Sequence, residues 1–122
     1  FRDFIGLNYD KEVEIWCSEV VEILTEWRCF IRYGQLLDVR YYKGYWNNNL
    51  DINLVNTAIE QYTNQPAAYS LDFGIGKDGK YYLIEVNDGH SMGSYGMLPV
   101  SYAKFLSARW AEMVGVRDYL DF

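Results

Sequence analysis

The residues between Ala67 and Asn87 alternate in two runs around Lys77-Asp78-Gly79-Lys80. Asp-Gly between alternating runs is a strong β-hairpin signal, because a type I′ turn needs positive φ at both central residues. With Asp78-Gly79 as the turn, strand 67–76 pairs with strand 81–87. Asp72 then lies directly opposite Glu85, and Ser70 opposite Asn87. Successive side chains of a strand point to opposite faces. Leu71, Phe73, Ile75, Tyr82, Ile84 and Val86 thus share an apolar face, which the pattern assigns to the core. Ser70, Asp72, Gly74, Gly76, Tyr81, Leu83, Glu85 and Asn87 share the other.

Two carboxylates that face each other across strands repel by roughly 0.2–1 kcal/mol in water, and by more away from it. A cation removes that penalty. Asp72, Glu85 and the amide oxygen of Asn87 form a hard-oxygen set suited to magnesium or manganese, whereas calcium favours more oxygens. Three protein ligands leave positions for water or phosphate oxygens. Gly74 and Gly76 keep the same face clear for a ligand. The competing reading is a solvated outer face. Tyr81 and Leu83 on that face, and Asn87 in register, weigh against it.

Elsewhere the pattern gives strands over 13–24, and a hairpin of 27–33 and 36–42 with a type II′ turn at Gly34-Gln35. Residues 51–63 form a helix capped by Asp51, with Leu54, Val55, Ala58, Ile59 and Tyr62 on one side. A glycine-rich loop covers 88–98. A last helix starts near Pro99 and ends at Gly115, with Ala103, Leu106, Trp110 and Met113 as its apolar stripe. Strands, helix, strands, helix imply an α+β fold, a mainly antiparallel sheet with two helices packed on one face.

Length and composition fit one domain over residues 1–122, with half its residues apolar and a core large enough to fold. The chain begins at Phe1, without methionine, and is expected to be a fragment of a longer protein. A net charge of −6 without a basic cluster argues against nucleic acid and anionic membranes as partners. It leaves room for an anionic ligand held through a metal. No segment is long enough to cross a membrane and no signal peptide is visible. Cys17 and Cys29 lack zinc-site or disulfide spacing, so free thiols in a reducing cytoplasm are expected.

Tyr69-Ser-Leu-Asp-Phe-Gly-Ile, then Asp78-Gly79, then Leu83-Ile-Glu-Val-Asn-Asp-Gly resemble the magnesium-binding end of ATP-grasp enzymes. Ser18-Glu-Val-Val and Glu26-Trp-Arg-Cys-Phe-Ile, followed by a strand that ends in Tyr-Tyr, resemble the preceding strands. The R2K clade is the nearest subgroup, and the likeness covers roughly residues 13–114. It implies the C-terminal core of the fold, with ATP and magnesium (or manganese) as cofactors. The activity implied is ligation of a small-molecule or peptide carboxylate to an amine or thiol through an acyl phosphate. It also implies roles. Asp72, Glu85 and Asn87 hold the metal. Arg28 is the catalytic anion contact, on phosphate or acyl phosphate, where a guanidinium fork suits oxyanions. Glu19, Val20 and Val21 border adenine, with Glu22 near the ribose and Arg40 as a second anion contact. The loop 88–96, with His90, Ser91 and Tyr95, faces the acceptor. On pattern alone Arg28 and Arg32 both fit solvent-facing strand positions; Arg28 is read as functional and Arg32 as solvent-facing. The lysine-bearing half of an ATP-grasp enzyme has no counterpart before residue 13. A non-catalytic binding or interaction module is therefore the alternative, and the chain alone is expected to be inactive.

Overall fold

The computed structural model describes residues 17–122. Ile23–Arg32 forms β1 and Gln35–Gly44 forms β2. Arg32 pairs with Gln35, so the turn is Tyr33-Gly34, with φ of 49° and 71°. Positive φ at both positions is type I′ geometry, one residue earlier than the type II′ turn expected at Gly34-Gln35. Residues 17–22 form no regular element, so the strand expected over 13–24 is absent there. Residues 13–16 lie outside the described residues.

Ile52–Gln61 forms α1, with Asp51 as its N-cap accepting from the Asn53 backbone N–H at 2.9 Å, as expected. Ala68–Gly76 forms β3 and Tyr81–Asp88 forms β4. Pro99–Val114 forms α2, closed by Gly115 at φ 69°. The strands make one antiparallel sheet in the order β2-β1-β3-β4. The α+β class and the antiparallel sheet follow the sequence reading.

The helices, expected on one face, cover opposite faces. Adjacent β1 residues point to opposite sides of the sheet. Cys29 and Ile31 pack with Leu71, Phe73 and the α1 residues Val55 and Ile59. Phe30 packs with Ala68, Met92, Met97 and the α2 residues Phe105 and Ala108. A strand whose apolar side chains run without alternation, as in Cys29-Phe30-Ile31, needs cover on both sides. Burial pushes the Cys29 thiol up to about 12, so it serves as an inert core residue.

α2 turns Tyr102, Phe105, Ala108 and Ala111 inward, and leaves Ala103, Trp110 and Met113 exposed. The expected stripe is thus displaced around the helix. α2 reaches over only part of its face of the sheet, through Phe30 and Ala68. Among the described residues no helix covers the rest of that face, and the candidate site lies there.

Candidate functional site

Pairing across the sheet puts one residue of each strand into a row. Arg40 of β2 pairs with Arg28 of β1, Arg28 with Asp72 of β3, and Asp72 with Glu85 of β4. Neighbouring strands are about 4.8 Å apart, so long side chains of such a row meet. The next row is Asp38, Phe30, Ser70 and Asn87, and the row on the other side is Lys43, Glu26, Gly74 and Tyr82. Asp72 opposite Glu85 and Ser70 opposite Asn87 are the pairs read from the sequence.

They are reached by a different route. Near the turn the pairs are Ile75 with Tyr81 and Gly74 with Tyr82, and Gly76 N–H donates to Lys80 C=O at 2.9 Å. The connection is one residue longer than a two-residue turn. A bulge then places Ile84 as an extra residue between Leu83 and Glu85, and restores the expected register. Before the bulge the faces are exchanged. Ile84 and Tyr82 lie over Gly74 and Gly76 on the open face, where a Cβ on Gly74 would come within 2.9 Å of Ile84 and 2.6 Å of Ile23. Tyr81 turns to the other side and donates to the Asn49 carbonyl at 2.7 Å, ahead of α1. Ile84 and Val86, expected in the core, are exposed.

Asp72 is fully buried. Arg28 donates to it twice, Nε to Oδ1 at 2.7 Å and Nη2 to Oδ2 at 2.5 Å. The same Nη2 donates to Glu85 Oε1 at 3.1 Å. Arg28 is itself buried, and its guanidinium stacks over the Tyr95 ring at 4.5 Å from the centroid. The hydrogen bond to Asp72 outweighs the cost of burial and makes its charge still harder to lose. Tyr42 is the extra residue of a second bulge, opposite Glu26-Trp27. Its hydroxyl donates to Glu26 at 2.8 Å and lies 3.1 Å from Asp72 Oδ2. Burial and those carboxylates raise the Tyr42 phenol well above the ordinary tyrosine range, so it stays a donor. Lys43 completes the network on Glu26. Arg40 bonds Asp38 at 2.9 Å and 2.5 Å, within its own strand.

Among the described residues no three His, Cys, Asp or Glu side chains are grouped to hold a metal. Asp72 and Glu85 with the Asn87 amide remain a suitable donor set by chemistry. The Asn87 Nδ2 is buried without a partner, as is the neighbouring Ser70 hydroxyl. The donors fit a hard cation, and the Arg28 guanidinium at present supplies the positive charge between them.

A hollow lies on either side of the row, along the strand direction. Arg28, Asn87, Asp88, His90, Ser91, Met92, Gly93 and Tyr95 line one of about 470 Å³. Its loop is pinned from below: Gly89 N–H bonds the Ala68 carbonyl at 3.1 Å, and Tyr102 donates to Met92 C=O at 2.5 Å. Arg109 donates to Asp88 from Nε at 2.8 Å and Nη2 at 2.5 Å and holds that carboxyl well below the usual range. His90 sits 3.3 Å from Asp88. On the other side, Glu19, Val20, Val21 and Glu22 border a hollow of about 380 Å³ with Tyr82 and the β3–β4 turn. Val21, Ile23, Tyr82 and Ile84 line a smaller one of about 270 Å³ beside it. Glu22 is anchored by Lys77, through a 3.1 Å ion pair and a 3.0 Å backbone bond.

A family model described as the ATP-grasp domain, R2K clade family 2, matches residues 3–105. The chain belongs to this family. Membership implies an ATP-binding domain of ligase type. Comparison with curated proteins and with solved structures gave no match. No helix among the described residues is long and apolar enough to cross a membrane.

Arg28, Asp72, Glu85 and Asn87, nominated from the sequence, come together on the open face of this ATP-grasp domain. Glu19 to Glu22 lie along its far edge, and Arg40 is next to Arg28 but engaged with Asp38. Arg32, expected to face solvent, is largely covered and bonds Asp118 at 2.8 Å. Sequence reasoning missed Tyr42, Ile23 and Ile84, because a bulge leaves no mark on an alternating pattern. It also passed over Glu26 and the partnership of Asp88 with Arg109.

Proposed function

We propose that this chain is the magnesium- and nucleotide-binding half of an ATP-dependent ligase that joins a carboxylate to an amine or thiol. The observation that carries this reading is the row Arg28–Asp72–Glu85, with Asn87 beside it, on the half of a sheet face that α2 leaves clear, with a hollow on either side of it. Asp72, Glu85 and Asn87 would hold the metal. Bound there, it would neutralise charge on the phosphoryl oxygens during transfer. The hollow between Val21, Ile23 and Ile84 has the apolar walls and backbone edges that suit adenine, with Glu22 at its rim for a ribose hydroxyl. Arg28 is the anion contact for the transferring group, and Arg40 a second one. The loop 88–96, with His90, Ser91 and Tyr95, borders the acceptor.

In the reaction a substrate carboxylate oxygen bonds the γ-phosphorus and the bond to ADP breaks. The amine or thiol then bonds the acyl carbon, phosphate leaves and the acceptor proton is released. The protein's part is to position and screen these groups. The lysines that grip the phosphates would come from a further segment of the same protein, so this domain binds more than it can transform. The free thiols suit a reducing cytoplasm. One observation favours a non-catalytic binding module: Arg28 already neutralises the facing carboxylates without any metal.

Calorimetric titration with Mg·ATP tests the reading. The wild type is expected to bind and a folded Asp72→Asn/Glu85→Gln variant to bind at least about tenfold more weakly. Equal binding by the two refutes the metal assignment. A folded wild type that takes neither metal nor nucleotide leaves the interaction module as the better account.

A further inference from the structure

Resting on the reading of Asp72, Glu85 and Asn87 as a metal site, we infer that Arg28 is the resident cation of that site, which a divalent ion must displace. A single atom decides the geometry. Arg28 Nη2 lies 2.5 Å from Asp72 Oδ2 and 3.1 Å from Glu85 Oε1, so it bridges the two carboxylates. An ion bridging them needs that same place. The lone pairs of Asp72 are also committed, two to the Arg28 fork and one to the Tyr42 hydroxyl. A carboxylate offers about four such positions, so one remains, on Oδ1, and none on the Oδ2 that shares Nη2 with Glu85. Like charges then act in the same direction as the geometry. A guanidinium and a dication sharing these oxygens would repel strongly in a buried setting.

The surroundings give Arg28 somewhere to go. Its guanidinium already lies over the Tyr95 ring, and Arg28 forms part of the wall of the 470 Å³ hollow. The Tyr95 ring meets Tyr42 edge-on, with centroids 5.5 Å apart, beside the arginine. A turn about the side-chain bonds carries the fork into the hollow while the stack on Tyr95 is kept. Glu85, with half its side chain exposed on the edge strand, provides the way in for an ion. Lys43 and Arg40 are occupied by Glu26 and Asp38 on the β2 side, so neither replaces Arg28 in this role. The consequence is an order of events: the arginine becomes available to an oxyanion only once the metal has taken its carboxylates.

Binding of Mn²⁺ alone, followed by its electron paramagnetic resonance signal, tests this without any turnover. Arg28→Gln is expected to bind Mn²⁺ about tenfold or more tightly than the wild type, and Asp72→Asn/Glu85→Gln not at all. Equal or weaker binding by Arg28→Gln, with binding still lost in the double variant, overturns the displacement and leaves the metal site standing. No binding by the wild type or Arg28→Gln overturns both. A second measurement on the wild type covers the case of an unfolded Arg28→Gln. In ¹⁵N-arginine spectra Mg²⁺ is expected to free the Arg28 Nε–H from Asp72 and speed its exchange with water. An unchanged Nε–H signal at saturating Mg²⁺ refutes the inference.

Discussion

Arg28 and Asp72 are each costly to bury alone and acceptable together. The pair is buried, doubly hydrogen-bonded and supported by Tyr42 and Glu85. Breaking such a pair leaves an uncompensated charge, which costs about 3–5 kcal/mol, whereas replacing both partners with apolar residues of similar volume is often near neutral. Asp72→Ala should therefore lower the free energy of unfolding by about that much, and Arg28→Met/Asp72→Leu by clearly less, as measured by urea denaturation. A double variant as unstable as the single one would mean that the charges do more than cancel each other. These residues were unevenly legible in the sequence. Asp72, Glu85 and Asn87 could be aligned because both strands belong to one hairpin, and the longer turn and the Ile84 bulge offset each other. That Arg28 faces Asp72 depends on β1 pairing with β3, across an intervening hairpin strand and helix, and short-range signals do not carry such pairings. The cation expected between the carboxylates was assigned to a metal; the structure fills the place with a side chain.

At the scale of elements, the bulges and the exposed stripe of α2 are where pattern and structure part. Every three to four residues along α2 there is a choice of apolar sets, and the sequence offers two. One is Ala103, Leu106, Trp110 and Met113, and the other is Tyr102, Phe105, Ala108 and Ala111. Periodicity alone does not choose between them, since both recur every three to four residues. The structure takes the second, because small side chains let α2 sit close over Ala68 and Phe30 while Phe105 fills the gap edge-on against Phe30, with ring centroids 5.2 Å apart. Phe105→Ala should accordingly cost about 3–5 kcal/mol, and Trp110→Ser no more than about 0.5 kcal/mol, when thermal or urea unfolding is compared. Comparable losses at the two positions would show that the outer stripe is covered in solution. The β-hairpins were the most legible elements, since Asp-Gly and the alternation fix them locally. Their bulges were not, because an extra residue among Leu83, Ile84, Val86 or Tyr41, Tyr42 leaves an equally apolar or aromatic run.

At the scale of the whole molecule, the sheet is covered by α1 on one face and partly by α2 on the other, and the C-terminal segment after α2 is tied back onto β1. Arg32 makes that tie. It donates to Asp118 at 2.8 Å and to the Leu120 and Lys104 carbonyls at 3.2 Å. Asp118 also accepts from Ser107 at 2.5 Å, Tyr33 at 3.0 Å and Leu120 N–H at 3.0 Å. Burial by itself raises the Asp118 carboxyl, but these donors outweigh it and bring the group from its ordinary 3.8 down to about 2. The unfolded chain therefore takes up this proton at a higher pH than the folded one. The stabilisation is complete above about pH 4 and is lost as the pH falls from about 4 to 2. Its size is about 1–2 kcal/mol, scaled down because one edge of the cluster meets solvent. Asp88, held low by Arg109, acts in the same direction. Asp118→Asn keeps the shape and removes the titrating group. Urea denaturation of the two proteins at pH 6, 4 and 3 should show the wild type more stable at pH 6. The gap should narrow by about 1 kcal/mol or more at pH 3 as the wild type loses what the variant never had. A gap that stays constant with pH would place the acid sensitivity elsewhere, and Arg32 would then hold the C-terminal segment through the Leu120 carbonyl rather than through the Asp118 charge.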